Sequence, residues 1–167
     1  MKILIVGGVA GGATTATRLR RLDEKSEIII FDRGDYVSFA NCGLPYYVGN
    51  VIKTKEKLLL QTPKSFKDRF NIDVRLNEEV IKVLSQDRKI QIRKKDGTIY
   101  EENYDKLVLS PGAEPINPFK ELKDEKIQTL RTVNDAIKIR DYLENNNIND
   151  VAIIGGGYIG VEMAENI

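Results

Sequence analysis

Three groups of residues in this sequence could do chemistry. Gly7-Gly8-Val9-Ala10-Gly11-Gly12 follows the apolar run Ile3 to Val6 and keeps the outer glycines of a G-x-G-x-x-G turn, with Val9 in the middle place. Gly155-x-Gly157-x-x-Gly160 follows Val151 to Ile154 and is the complete pattern. Between them stands Cys42, the one cysteine, in Ser38-Phe39-Ala40-Asn41-Cys42-Gly43-Leu44-Pro45. A glycine turn between strand and helix lets the backbone approach a pyrophosphate, and the first N–H groups of the helix are donors to it.

Context strengthens the first turn. Asp32 lies about twenty residues beyond Gly12, at the end of the next apolar run, where a carboxylate can accept from ribose hydroxyls. Two such turns in one chain point to two dinucleotides. The pairing that makes chemical sense is FAD with a nicotinamide cofactor, hydride passing between them. The residue that would separate NADH from NADPH falls beyond Ile167. Cys42 is either an inert small apolar residue or a nucleophile. Its neighbours are small or polar and a short helix starts there, which favours the thiolate. Without a second cysteine it would bond to a substrate sulfur or cycle through sulfenic acid. Arg18, Arg20 and Arg21 share one helix: either a solvated face or a grip on a phosphate-bearing substrate. Tyr46, Tyr47, Tyr104 and Tyr158 read as packing residues.

Composition removes other classes. The 167 residues carry 26 Lys+Arg against 25 Asp+Glu, a net charge of +1, which argues against a nucleic-acid binder or a polybasic membrane patch. No histidine is present, so histidine metal sites and Ser-His-Asp triads are excluded. One cysteine excludes internal disulfides and CxxC metal clusters, and a reducing cytoplasm is the expected compartment. The start of the chain imitates a signal peptide, but four glycines and Arg18 directly after it fit a strand and glycine turn better. No stretch approaches the ~20 apolar residues of a membrane span.

These groups need a scaffold. Ile3 to Val6 and Ile28 to Phe31 read as buried parallel strands around a helix over Thr14 to Leu22, packed through Ala13, Ala16 and Leu19. Short helices are expected at Cys42 to Tyr47 and, capped by Thr62, at Ser65 to Phe70. From 72 to 104 the pattern turns to strands, with Asp96-Gly97 as a hairpin turn: a small antiparallel insertion. Lys106 to Leu109 returns to the core, Val133 to Leu143 is a helix, and Val151 to Ile154 is the strand of a second βα unit. The fold class is α/β: a Rossmann-like FAD-binding domain with an antiparallel insertion, then the start of a second Rossmann-like NAD(P)-binding domain. The expected division is 1–120 for the first segment, 121–148 for a connection and 149–167 for the truncated second domain.

The blocks VGGVAGGAT, SFANCGLPYY, YDKLVLSPGAEP, LRTVNDA and IIGGGYIGVE follow one another in the order of the flavin-dependent pyridine nucleotide-disulfide oxidoreductases. The sequence resembles their single-cysteine branch, and within it the coenzyme A disulfide reductases, with NADH oxidases, NADH peroxidases and persulfide reductases as near relatives. SFANC–LPYY is the most specific block. The resemblance implies that Gly7, Gly8, Val9, Ala10, Gly11 and Gly12, with Asp32 and Arg33, hold the ADP half of FAD. It implies that Val80 meets the adenine through its backbone, and that Ser110-Pro111-Gly112 and Asn41 touch the cofactor. Gly155, Gly157, Tyr158, Ile159, Gly160 and Glu162 would form the nicotinamide side. Cys42 would be the catalytic nucleophile, and Thr14, Arg18, Arg21, Ser38 and Asn41 would contact coenzyme A. It further implies a homodimeric parent, considerably longer than this chain, with no nucleic-acid or membrane partner. The alternatives are peroxide or oxygen reduction through a Cys42 sulfenic acid, persulfide reduction, and a nucleotide-binding fragment without turnover.

Overall fold

The computed structural model describes all residues, Met1–Ile167, in two compact units. The first comprises Met1–Phe39 and Gln61–Gly112; the second comprises Ala40–Leu60 and Ala113–Ile167.

The first unit is three-layered. Strand β1 (Lys2–Val6) runs into helix α1 (Ala10–Leu22) and back to β2 (Glu27–Asp32). The segment contributed by the second unit includes a 3-10 turn, Asn41–Gly43, and the short helix α2 (Leu44–Val48). The first unit resumes with α3 (Pro63–Phe70) and β3 (Asp73–Leu76), then β4 (Glu78–Leu84), β5 (Lys89–Lys94), β6 (Ile99–Asn103) and β7 (Lys106–Leu109). The parallel sheet has the order β3-β2-β1-β7, with Ile3 opposite Ile28 and Lys106. Both of its faces are covered, which is why β1 and β2 are continuous apolar runs rather than alternating ones. One face packs Ile3, Ile5, Ile28 and Ile30 against Ala13 and Ala16 of α1 and Phe66 of α3. The other packs Leu4, Ile29 and Phe31 against Ile90 and Ile92 of the antiparallel sheet β4-β5-β6.

One strand changes place relative to the sequence expectation. The antiparallel insertion anticipated over 72–104 begins at β4, because β3 pairs in parallel with β2, Ile29 opposite Asp73 and Asp32 opposite Leu76. A strand's pattern declares its faces, not its partner, and β3 finds β2 only after α3 has carried the chain back across the sheet.

The second unit holds α2, helix α4 (Val133–Asn145) and helix α5 (Tyr158–Asn166). Arg140 of α4 lies over the buried ring of Tyr47, 4.8 Å from its centroid, and donates to Asn50 Oδ1 (3.0 Å) and the Lys53 carbonyl (3.2 Å). The strand expected at Val151 to Ile154 is irregular backbone. An extended segment becomes a strand only beside a hydrogen-bonding partner, and no strand of the chain runs beside it. Ile154 is 78% exposed, and Tyr158, read as a packing residue, is 93% exposed.

Candidate functional site

The first glycine turn is built by close backbone approaches. Gly7 has φ +91° and donates its N–H to the Phe31 carbonyl at 2.8 Å, while a Cβ there would stand 2.0 Å from the Ser110 carbonyl oxygen. A Cβ on Gly12 would meet the Gly7 carbonyl at 1.8 Å, so α1 sits on the turn as only glycine allows. Asp32 is already at work without any ligand. Its Oδ2 accepts from the Gly8 N–H (2.7 Å) and its Oδ1 from the Gly34 N–H (2.8 Å). Each oxygen keeps a lone pair for a hydroxyl. Asp32 thus orients the turn.

Gly7, Asp32, Arg33, Val80 and Pro111 line one cavity, and Ser110 ties in through its N–H to the Val6 carbonyl (2.8 Å). The register of β4 on β5 shifts between Val80 and Lys82, a bulge that redirects backbone groups at the cavity wall. Glu78 and Glu79 also line it and escaped the sequence reading; their adjacency to Val80 was the available signal.

The helices that follow the two glycine turns differ from the other long ones. Helices α3 and α4 carry full capping boxes, Thr62 with Ser65 and Thr132 with Asp135. At α1 the N-cap Val9 gives no side-chain bond and no acidic residue occupies the first turn; at α5 the N-cap Gly157 repeats both features. The leading N–H groups of α1 and α5 are therefore left for an external acceptor. The second turn copies the geometry of the first: Gly155 has φ +113°, and a Cβ on Gly160 would stand 2.1 Å from the Gly155 carbonyl oxygen. Bare backbone at a helix N-terminus beside a carboxylate with free acceptor lone pairs fits the ADP half of a dinucleotide.

The three arginines of α1 separate. Thr14, Arg18 and Arg21 are exposed on one face at helical spacing. Arg20 is buried, and its guanidinium donates to five carbonyls: Phe70, Asp23, Glu24, Ser26 and Asn71. Arg20 therefore leaves the basic cluster and pins the ends of α1 and α3. Ser38 sits at φ +48°, its N–H on the Gly8 carbonyl at 2.8 Å, a left-handed position uncommon for serine.

In the second unit Cys42 is free and exposed, within the turn Asn41–Gly43 that runs into α2. The next residue, Gly43, is buried and closely packed: a Cβ there would reach Leu58 Cδ2 at 2.8 Å. Arg131, in the LRTVNDA stretch, donates to Asn41 Oδ1 (3.4 Å) and to the Ala113 carbonyl (3.0 Å), bracing the residue before the cysteine. Glu162 is half-buried on α5, whereas Tyr158 and Ile159 are exposed. No helix is long and apolar enough to cross a membrane.

Comparison with known proteins gives a consistent result. The family model described as pyridine nucleotide-disulphide oxidoreductase matches residues 1–167. A coenzyme A disulfide reductase of Staphylococcus aureus is 40% identical over 167 residues, 99% of this chain and 38% of the relative. The chain thus spans 38% of the length of that curated relative. The crystal structure of reduced Bacillus anthracis CoADR-RHD superposes with a TM-score of 0.95 at 49% identity, covering 99% of this chain and 30% of that one. A NAD-dependent persulfide reductase of A. fulgidus superposes with a TM-score of 0.93 at 33% identity, covering 99% of this chain and 32% of that one.

Proposed function

This chain belongs to the pyridine nucleotide-disulphide oxidoreductase family, whose members are FAD- and NAD(P)H-dependent oxidoreductases, and on that footing we propose that the protein reduces coenzyme A disulfide through Cys42. The first glycine turn with Asp32, Arg33, Val80, Asn41 and Ser110-Pro111-Gly112 would hold FAD. The second turn, Gly155 to Glu162, would open the NAD(P)H site. On this reading residues 1–120 are the first segment of the FAD domain, 121–148 a connection and 149–167 the start of the NAD(P) domain. The working form is a cytoplasmic homodimer.

Bound FAD would supply an electron pair taken from NAD(P)H as hydride. The chain's own residues do the rest. Thr14, Arg18 and Arg21 on the exposed face of α1, with Ser38 and Asn41, hold the phosphates of coenzyme A disulfide. The Cys42 thiolate attacks one sulfur of the disulfide; that S–S bond breaks, one coenzyme A leaves as thiolate and takes a proton, and Cys42 keeps the other as a mixed disulfide. Opening the Cys42–S bond of the mixed disulfide takes the electron pair that bound FAD would supply and one proton from solvent, leaving the second coenzyme A as thiol and Cys42 as thiolate.

The observation that carries this reading is the coexistence of two uncapped glycine-turn helices with a single exposed cysteine. Cys42→Ser in the parent protein should abolish disulfide reduction and leave flavin bound; retained reductase activity refutes the mechanism. A second reading, persulfide reduction, is favoured by the likeness to the A. fulgidus enzyme. Arg21→Ala separates the two: it should weaken coenzyme A disulfide by tenfold or more through a lost charged contact, yet leave a small inorganic polysulfide substrate untouched.

A further inference from the structure

Helix α2, which leaves the Cys42 turn, ends at a contact with no room for a side chain. Its last carbonyls are met by Gly49, which donates to the Pro45 carbonyl at 2.9 Å. Gly49 has φ −77°, a value open to any residue, so the backbone does not call for glycine there. Space does. A Cβ on Gly49 would stand 1.9 Å from the Asn166 carbonyl oxygen and 2.7 Å from the Asn166 carbonyl carbon. The last turn of α5 therefore rests on the end of α2 through backbone alone. The first turn of α5 follows Gly157, so one helix carries the second glycine turn at one end and touches the cysteine helix at the other.

A side chain at position 49 must push something aside, and the two helices are not equally free to move. The α2 segment is tied before and after the helix. Arg131, next to the α4 N-cap, donates to Asn41 Oδ1 (3.4 Å); Arg140 stacks on Tyr47 and donates to Asn50 Oδ1 (3.0 Å) and the Lys53 carbonyl (3.2 Å). Helix α5 has one buried side chain, Met163, while Tyr158, Ile159 and Val161 are exposed. The helix that yields is α5. To reach the ~3.3 Å of a close carbon–oxygen contact, its end must retreat by about 1.4 Å. The second glycine turn would travel with it as a body, because Gly160 sits on the Gly155 carbonyl and the Val161 N–H donates to the Gly157 carbonyl at 3.0 Å.

We propose that Gly49 is a positioning residue for the reaction: it seats α5 on the cysteine helix and so sets where the second glycine turn stands relative to Cys42. The proposal rests on the reading that this turn opens the NAD(P)H site and that Cys42 is the redox centre. Enlarging residue 49 leaves the turn intact and shifts it, so nucleotide affinity is spared and transfer geometry is spoiled. Reacting atoms must approach to about 3–3.5 Å, and a misplacement of about 1 Å can cost about 100-fold.

Gly49→Ala in the parent protein tests this. The limiting rate at which NADH or NADPH bleaches the bound flavin, followed by stopped flow, should fall about tenfold or more, with the half-saturating nucleotide concentration within about threefold of wild type. Alkylation of Cys42 by iodoacetamide should keep its wild-type rate within about twofold, because α2 stays in place. Amide hydrogen exchange should quicken over 158–166 and not over 44–49. A merely structural role would quicken exchange in both helices and change the alkylation rate, which overturns the proposal, as does an unchanged limiting rate. Met163→Ala removes the one buried side chain of α5 and leaves residue 49 alone; it should show the same slow transfer with unchanged alkylation, and it decides if Gly49→Ala does not fold. A wild type whose flavin neither NADH nor NADPH bleaches removes the NAD(P)H reading and this inference with it, whereas a variant as fast as an active wild type overturns the inference alone.

Discussion

Removing the Arg20 guanidinium should cost this protein more than removing both of its sequence neighbours, Arg18 and Arg21. Arg20 is 9% exposed and has no carboxylate partner; its charge is met by carbonyl dipoles alone. Two of the acceptors, Asp23 and Glu24, follow α1; Phe70 and Asn71 end α3; Ser26 precedes β2. Helix C-terminal carbonyls favour a cation, so the site compensates the desolvation it imposes. Hydrogen bonds to a charged group are each worth about 1.5–3 kcal/mol when one partner is deleted, but five on one fork do not add, and water would enter to reach some carbonyls. We expect Arg20→Ala to lose about 3–4 kcal/mol, in the range for breaking a buried charged contact. Arg20→Lys should lose about 2, since an ammonium cannot span three chain segments with one planar fork. Arg18→Ala and Arg21→Ala should each stay within about 0.5 kcal/mol of wild type, as exposed substitutions do. Urea unfolding followed by far-UV circular dichroism gives these differences directly, provided the slope with denaturant is unchanged. An Arg20→Ala loss below about 1 kcal/mol, or an equal loss in Arg18→Ala, would refute the assignment of Arg20 to the scaffold.

Other outcomes are equally definite. Gly12→Ala puts a Cβ 1.8 Å from the Gly7 carbonyl oxygen; α1 must lift from β1, costing about 1–3 kcal/mol, and ADP titration should show its binding lost. Glu102 is pushed up by burial, but bonds from Lys2 and Arg75 outweigh this and hold it below the usual carboxylate range. A depressed folded value means its contribution is present above the unfolded value of about 4.3 and disappears as pH falls through the folded one; Glu102→Gln should flatten melting temperature against pH on that acid side. Tyr100 has the opposite sign: raised from 10.0 to about 12, it contributes fully below pH ~10 and loses this as pH rises toward 12, a slope absent in Tyr100→Phe. An intact mass under non-reducing conditions should show one disulfide-linked coenzyme A on the protein, absent in Cys42→Ser; a bare mass, or one raised only by oxygen atoms, would count against coenzyme A.

Much of the first unit could be read from the chain because its signals are local. Ile3 to Val6 and Ile28 to Phe31 are unbroken apolar runs, and such runs have few homes other than a sheet covered on both faces. Thr62 followed by Pro63 announces the start of α3 through cap chemistry that needs no tertiary partner. What escaped depends on partners distant in sequence. Asp73–Leu76 carries no mark of whether β2 or β4 will receive it. Arg20 looks like Arg18 and Arg21 until α3 brings the carbonyls of Phe70 and Asn71 over it. Glu78 shows no sign of its partner until β6 delivers the Tyr100 hydroxyl to it. Val151 to Ile154 has a strand's composition, but pairing belongs to two segments and composition to one.

The two glycine turns were legible for a different reason: they are places where side chains are kept away. Of the four helices of eight residues or more, α3 and α4 satisfy their first N–H groups with threonine caps, and α1 and α5 do not. An absent cap costs a helix about 0.5–2 kcal/mol, so leaving two helices open in one chain sacrifices stability at both. The positive φ of Gly7 and Gly155 and the close seats of Gly12 and Gly160 impose further conditions that few sequences meet. A bound pyrophosphate would offset that loss by supplying acceptors where no side chain was placed, and the complex would gain stability with the logarithm of ligand concentration over its dissociation constant. The sequence pattern is therefore informative because it is costly to the free protein. At the first turn the Asp32 carboxylate adds a further condition, since its two oxygens accept from the N–H groups of Gly8 and Gly34 and hold the bare backbone in place.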